Sequence, residues 1–138
     1  MPVGLRKLVF ERAQGSCEYC LVPEALALSA HQVDHIIAEK HGGQTVSENL
    51  ALSCSLCNMA KGSDIASVDP HSNAIERFHN PRCDRWVEHF ALEKSGCIEP
   101  LTAIGRATAN LLQLNRSDSV LERRLLIETG DLSVADIN

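Results

Sequence analysis

The spacing of apolar residues predicts helices near both ends of the chain. Across residues 3–14 they recur at near-helical intervals, which predicts a first helix that ends at Gly15. Two further amphipathic stretches begin after Thr102 and Ser117, side chains suited to capping a helix N-terminus. The second stretch ends at Gly130, a residue type common after a helix. The apolar faces of these helices are expected to form the core.

The middle of the chain has the composition of short strands and turns. Residues 28–37 (LSAHQVDHII) predict a strand, residues 38–48 a loop, and residues 49–52 a second short strand. A short helix is expected from Cys54 to about Lys61. A loop-rich segment follows. After it, apolar and polar residues alternate over residues 87–102, which predicts a β-hairpin with its turn at residues 94–96. We therefore predict a core over residues 1–69 and a C-terminal extension over residues 70–138, packed together as a single compact domain.

Composition narrows the class of protein. Hydrophobic residues make up 44% and charged residues 22% of the 138, as in an ordinary globular protein. No apolar run has the length of a membrane span, and no signal peptide is recognisable, so we expect a cytoplasmic protein without a membrane partner. The net charge of −5 makes a non-specific nucleic-acid coat protein less favoured, although a local basic site remains compatible with it.

Four of the six cysteines form two Cys-x-x-Cys pairs, and cytosolic thiols are normally reduced. Four thiolates arranged as two such pairs are a typical tetrahedral site for structural Zn²⁺, with no position left open for a substrate. Four buried thiols, or a redox Cys-x-x-Cys motif, are the alternatives. A redox motif would need one pair in a βαβ context, which fits this pattern less well. The predicted zinc ligands are Cys17, Cys20, Cys54 and Cys57.

Asp34 and His35 lie on the strand between the two halves of this cysteine site, and Asn58 directly follows the last cysteine. Oxygen atoms from Asp34 and Asn58 could converge on a Mg²⁺-like cation, which prefers such ligands. Neighbouring residues on a strand point to opposite faces. Asp34 and His35 can therefore share one site only if the chain bends locally, and Gly42-Gly43 makes such a bend plausible.

These motifs together, CEYC, HQVDHIIAEKHGG and ENLALSCSLCNMAKG, resemble the zinc-stapled form of the HNH endonuclease family. The signature residues fall on His35, Asn49 and Asn58, with Lys61-Gly62 closing the motif. The segments RFHNPRCDRWVEHF and GCIEPLTAIGRAT also resemble the tail of a bacterial subgroup of these proteins. The resemblance implies an α+β fold: a small ββα-metal, treble-clef-like core stapled by zinc, with an added C-terminal hairpin and two helices.

The resemblance also implies a metal-dependent DNA endonuclease that leaves 5′-phosphate and 3′-hydroxyl ends. His35 would be the general base, because imidazole titrates near neutral pH. Asp34 and Asn58 would hold one catalytic Mg²⁺ or Mn²⁺, and Asn49 would orient the loop or the His35 backbone. One such site cuts one strand, so double-strand cleavage would need a homodimer or a second encounter. The candidate DNA contacts are Lys61, Lys40, His41, Arg82 and Arg85.

Two other functions remain open from the sequence. A non-catalytic zinc module that binds nucleic acid or protein would keep the cysteines but would not need Asp34, His35 and Asn58 together. A redox or metal-storage protein would use the cysteine pairs alone. The arginines near Trp86 are equally consistent with surface ion pairs to Asp84 and Glu88.

Overall fold

A computed structural model describes residues 1–134 of the protein as helices joined to short antiparallel strand pairs. The chain divides into two compact units. Unit 1 comprises residues 1–65 and 80–83, and unit 2 comprises residues 66–79 and the chain from residue 84 onward. The first boundary lies four residues before the predicted one. The prediction that the whole chain packs as a single domain stays a prediction.

Unit 1 contains one strand pair and two helices. The elements are α1 (Val3–Arg12), β1 (Gln32–His35), β2 (Leu50–Ser53) and α2 (Ser55–Lys61). Strands β1 and β2 pair antiparallel, with Asp34 opposite Ala51 and His35 opposite Leu50. Helix α1 packs on this pair and buries Val9 against Leu50 and Leu52. This small core fixes the strand that carries the candidate catalytic residues.

The predicted first strand is longer than the observed one. Only residues 32–35 pair as β1, although residues 28–37 are rich in β-forming residues. Its partner strand β2 has only four residues, so residues 28–31 and 36–37 have no neighbouring strand residues with which to pair. Asn49, predicted to begin the second strand, lies instead in a 3₁₀ turn, Ser47–Asn49. The first helix and the helix after Cys54 lie where the sequence predicts them.

In the described part of unit 2 there are two further antiparallel pairs and three α-helices. The elements are β3 (Ala66–Val68), β4 (Ile75–Arg77), α3 (Trp86–His89), β5 (Phe90–Leu92), β6 (Ile98–Pro100), α4 (Ala103–Leu112) and α5 (Ser117–Glu128). Helix α4 packs on β3, β4 and β6. Thr102 caps it as predicted, since its Oγ1 accepts a hydrogen bond from the Gly105 N–H at 3.0 Å. The hairpin turn at residues 94–96 is also confirmed.

Three features of unit 2 differ from the sequence-based expectation. Strands β3 and β4 fall partly within a segment predicted to be loop, because each has only three residues and too short a pattern to recognise. Residues 86–89 form a helical turn before the hairpin instead of its first strand. Helix α5 has no side-chain cap from Ser117, and Leu121 and Leu125 are exposed. Its fully buried residue is Arg123, whereas Val120 and Leu126 are half-buried, so the predicted apolar face contributes to the core only in part.

Arg123 is buried, and its guanidinium donates hydrogen bonds to backbone carbonyl groups. Its Nε donates to the Gly96 carbonyl at 2.7 Å, and its Nη2 donates to the Leu114 carbonyl at 2.5 Å. These bonds join α5 to the hairpin turn and to the end of α4. Among residues 1–134, no helix is both long enough and apolar enough to cross a lipid bilayer.

Candidate metal and catalytic sites

The four predicted zinc ligands lie together in unit 1. Their Sγ atoms are all within 4.8 Å of one another, and those of Cys20 and Cys54 are 3.6 Å apart. Sulfur atoms about 2.3 Å from a tetrahedral Zn²⁺ would be about 3.8 Å apart, so the cluster has the size that zinc requires. The cluster is therefore compatible with structural zinc.

Local backbone geometry forms each half of this cluster. Gly15 ends the turn after α1. Its φ of +72° changes the direction of the backbone, which then leads to Cys17. The Cys20 N–H donates to Cys17 Sγ at 3.4 Å, and the Cys57 N–H donates to Cys54 Sγ at 3.4 Å. Hydrogen bonds from Cys17 and the other cysteines hold the pKa of Cys54 far below its usual range. Hydrogen bonds with Cys17 raise the pKa of Cys20 and Cys57, so the cluster favours thiolate, the form that binds zinc, at Cys54 and not at these two.

His35 ends strand β1, and its side chain is 24% exposed. Its Nε2 forms a hydrogen bond with Thr45 Oγ1 at 2.9 Å and lies 3.5 Å from Glu39 Oε1. A carboxylate beside Nε2 favours a proton on that nitrogen; in that tautomer Nε2–H donates to Thr45 and the lone pair lies on Nδ1. The contact with Thr45 holds the ring in one orientation.

Asp34 points to the other face of β1, toward α2. Its carboxylate is 3.0 Å from Lys61 Nζ, and both side chains are buried, at 9% and 3% exposure. Burial raises the pKa of Asp34, while the charge of Lys61 lowers it again in part. Lys61 Nζ also donates to the His35 carbonyl at 3.0 Å. Lys61, expected at the DNA phosphates, is therefore placed inside unit 1, where it neutralises Asp34 and holds the end of β1.

Asn58 lies one helical turn before Lys61 and faces the same strand. Its Nδ2 donates to Gln32 Oε1, and Gln32 and Asp34 share one face of β1 because they are two residues apart. Within residues 1–134, no hydrogen bond or ion pair directly joins the side chains of Asp34, His35 and Asn58. The donor set of one carboxylate and one carboxamide nevertheless has the hard oxygen ligands that Mg²⁺ and Mn²⁺ prefer.

Asn49 closes the loop that follows β1. Its Oδ1 accepts from the Ile37 N–H, and its Nδ2 donates to the carbonyls of Ile37 and Gln44, each at 2.9 Å. Gly43 packs against the same backbone: a Cβ at this position would lie 1.7 Å from the Ile37 carbonyl oxygen. Asn49 therefore positions the chain that leads out of His35, an arrangement that suits the orienting role expected for it.

Lys40 and His41 lie on the exposed surface of this loop, in the 3₁₀ turn Glu39–His41. The His41 Nε2 is 3.1 Å from the Ser63 carbonyl oxygen, so the ring is anchored at one nitrogen. Lys40 is exposed as well. Both residues are therefore accessible to a polyanion.

The two arginines expected to contact DNA differ in exposure. Arg82 lies against the core of unit 1, where it forms an ion pair with Glu18 and donates to the Leu50 carbonyl at 3.3 Å. Its side chain is only 13% exposed, so its guanidinium is used to anchor residues 80–83. Arg85, in unit 2, is 69% exposed and lies 3.9 Å from Glu88.

Three residues around the candidate site were not identified from the sequence. Thr45 and Glu39 contact the His35 ring, and Gln32 contacts Asn58. A hydroxyl two residues after the Gly-Gly pair was the available signal for Thr45. Glu39 lies at the i+4 position from His35, but residues 36–38 are not helical, so no periodic pattern indicates the contact.

Comparison with known proteins finds a family match for one segment of the chain. Residues 17–64, which are 48 of the 138, match the family model described as HNH endonuclease. This match confirms the resemblance drawn from the sequence, and the mixed helices, small antiparallel pairs and clustered cysteines confirm the predicted α+β class. No curated protein and no solved structure matches the chain significantly.

Proposed function

We propose that the HNH endonuclease segment makes this protein a metal-dependent DNA endonuclease with His35 as general base. The family match indicates nuclease activity and a nucleic-acid substrate in general. The observation that carries the finer proposal is the His35 ring, fixed at Nε2 by Thr45 and Glu39 and still partly open to solvent. A histidine used only for packing would not need this arrangement beside a buried carboxylate.

We propose that Nδ1 of His35 receives the proton. With Nε2–H donating to Thr45, the Nδ1 lone pair is the one that can accept a proton from a water molecule attacking phosphorus. Glu39, 3.5 Å from Nε2, would then stabilise the imidazolium that forms. Asn49 holds the loop so that this ring keeps its position relative to the strand.

Asp34 and Asn58 are the residues that would hold a divalent cation. A bound Mg²⁺ or Mn²⁺ would supply positive charge for the scissile phosphate and the leaving 3′-oxygen. The Asp34 carboxylate pairs with Lys61, and Asn58 Nδ2 donates to Gln32. Binding of the ion would therefore require that Asp34 be shared with, or released from, Lys61, and that Asn58 direct its Oδ1 toward the ion.

The remaining assignments belong to the same proposal. Structural Zn²⁺ in the cysteine cluster would hold the end of β2 and the start of α2 against the Cys-x-x-Cys turn at residues 17–20. Lys40 and His41, which are exposed beside the loop, are the proposed phosphate contacts in unit 1. Arg85 is a further candidate because of its exposure. We propose that the enzyme works in the cytoplasm, and that it cuts both strands only as a homodimer or in two encounters.

A plasmid-nicking assay tests the proposal. Zinc-loaded wild-type protein is incubated with supercoiled DNA and Mg²⁺ or Mn²⁺, alongside His35→Ala and a matched histidine control, His71→Ala, whose side chain is exposed in unit 2. We expect His35→Ala to lose about 100-fold or more of the nicking rate, the usual contribution of a general base. His71→Ala should cut like the wild type.

The same experiment separates the enzyme from a binding module. DNA affinity is measured for all three proteins by fluorescence anisotropy. If the wild type binds DNA but nicks it with neither metal ion, the protein is a non-catalytic module. If His35→Ala nicks as fast as His71→Ala, His35 is not the base.

A further inference from the structure

Unit 2 contains a second cluster of metal-ligating side chains, outside the HNH segment. His79 follows β4, Asp84 precedes α3, and His89 is the last residue of α3. One ligand atom from each lies within 4.8 Å of the other two. The side chains of His79, Asp84 and His89 are 1%, 11% and 11% exposed, so the cluster is buried.

The spacing of these atoms is typical of ligands around a shared ion. His79 Nδ1 is 3.9 Å from Asp84 Oδ2, and His89 Nε2 is 3.9 Å from Asp84 Oδ1. Both distances exceed the about 3.2 Å upper limit of a good hydrogen bond. Nitrogen and oxygen ligands about 2.0–2.2 Å from a tetrahedral ion would be about 3.4 Å apart, so each of these two distances would have to shorten by about half an ångström when an ion binds.

A neighbouring hydroxyl orients one of the histidines. His89 Nδ1 is 2.6 Å from Thr102 Oγ1, which also accepts from the Gly105 N–H as the cap of α4. The Thr102 oxygen can accept a second hydrogen bond, from Nδ1–H, which leaves the Nε2 lone pair directed toward Asp84. Metal-binding histidines are commonly fixed in this way through their other nitrogen.

The other histidine, His79, is positioned by a backbone hydrogen bond and a ring contact. Its backbone N–H donates to Thr108 Oγ1 at 2.9 Å, and its ring packs edge-on against Phe90 with the centroids 5.5 Å apart. The His79 and His89 rings are themselves 5.8 Å apart between centroids. Both imidazoles are thus positioned by β5, α3 and α4, all within unit 2.

Arg77 would compete with a metal ion for the Asp84 carboxylate. Its guanidinium donates two hydrogen bonds to Asp84, at 2.8 Å and 2.9 Å. Each carboxylate oxygen has two lone pairs, so one oxygen can accept a hydrogen bond from an arginine and also bind a metal ion. Arg77 is 52% exposed, and a solvent-exposed arginine can move away more easily than the buried imidazoles can.

We propose that His79, Asp84 and His89 form a second metal site, which binds Zn²⁺ or a similar divalent transition-metal ion. Two imidazoles and one carboxylate are a common ligand set for such ions, and a fourth position would remain for water. The bound ion would hold the chain just after β4 to α3 and the residues before it within unit 2, because His79 comes from the first and Asp84 and His89 come from the second. The site does not depend on the nuclease proposal.

The test counts zinc in the whole chain. Full-length protein is saturated with Zn²⁺, passed through metal-free buffer, and analysed for zinc per chain. We expect two zinc ions in the wild type and in His71→Gln, a control with an exposed histidine in the same unit. We expect one in His89→Gln and one in His79→Gln, with the cysteine site still filled. One zinc in the wild type, or two in both ligand variants, would overturn the proposal.

X-ray absorption on wild-type protein gives a measurement that does not depend on how the variants fold. A chain with both sites filled should show Zn–S distances of about 2.3 Å together with Zn–N/O distances of about 2.0–2.1 Å. A first shell of sulfur alone in the zinc-saturated protein would contradict the second site. Neither measurement uses nuclease activity, so its outcome is separate from the proposed function.

Discussion

Replacing Lys61 with methionine tests the most heavily buried charge pair at the candidate catalytic site. The side chains of Lys61 and Asp34 are 3% and 9% exposed, and Lys61→Met leaves the carboxylate without its cation. Removing one partner of a buried pair costs about 3–5 kcal/mol. Because Asp34 can take up a proton in response, we expect the lower end, about 3 kcal/mol, with about 1 kcal/mol more for the lost bond to the His35 carbonyl.

Urea denaturation of zinc-loaded proteins gives the free energy of unfolding, and a double-mutant cycle isolates the pair. Asp34→Asn and Lys61→Met should each be destabilising, whereas the double variant should be more stable than their sum predicts, by about 2 kcal/mol. Lys40→Met, at an exposed lysine of the same unit, should change stability by less than about 0.5 kcal/mol. The reasoning is refuted if Lys61→Met is as stable as Lys40→Met.

Three further predictions concern other parts of the molecule. Cys57→Ser should lose the zinc of the cysteine cluster and the cooperative unfolding of unit 1 together, because zinc binding is coupled to folding; the same zinc content per chain as the wild type in elemental analysis would contradict this. Gly43→Ala should lose nicking activity and stability, since its Cβ would meet a backbone carbonyl at 1.7 Å, while Gly4→Ala, with no atom within 4 Å of its Cβ, should behave as wild type in both assays. Hydrogen bonds from Arg106 hold the pKa of Asp69 well below its usual value. This pair therefore stabilises the fold above about pH 4, the ordinary aspartate pKa, and its contribution is lost as the pH falls further. Wild-type unfolding free energy should decrease on acidification more than that of Asp69→Asn, and parallel pH curves would contradict the assignment.

The sequence predicted those parts of the fold that depend on local chemistry. Thr102 caps α4, because a hydroxyl before an amphipathic stretch can satisfy a helix N–H without help from distant residues. The Cys-x-x-Cys pairs likewise carry their own turn geometry, so their approach could be inferred from spacing. The turn at residues 94–96 has Gly96 at φ of +93°, a conformation that glycine favours.

The parts that depend on partners distant in sequence could not be predicted. Lys61 has the sequence appearance of a phosphate ligand, and only the approach of α2 to β1 shows that it neutralises Asp34. Arg82 similarly reaches Glu18 from 64 residues away. In α5 the fully buried position belongs to Arg123, because three-dimensional packing brings the carbonyl groups of Gly96 and Leu114 to that face, where they accept its hydrogen bonds. Hydrophobic periodicity contains no information about such contacts.

The most direct test of the proposed catalytic site is a crystal of zinc-loaded His35→Ala protein soaked with Mn²⁺, with anomalous scattering used to locate the ion. We predict a manganese peak bonded to a carboxylate oxygen of Asp34 and to Oδ1 of Asn58, with Lys61 displaced from, or sharing, that carboxylate. Crystals in which Asp34 remains paired with Lys61, Asn58 remains bonded to Gln32, and no manganese lies between them would contradict the account.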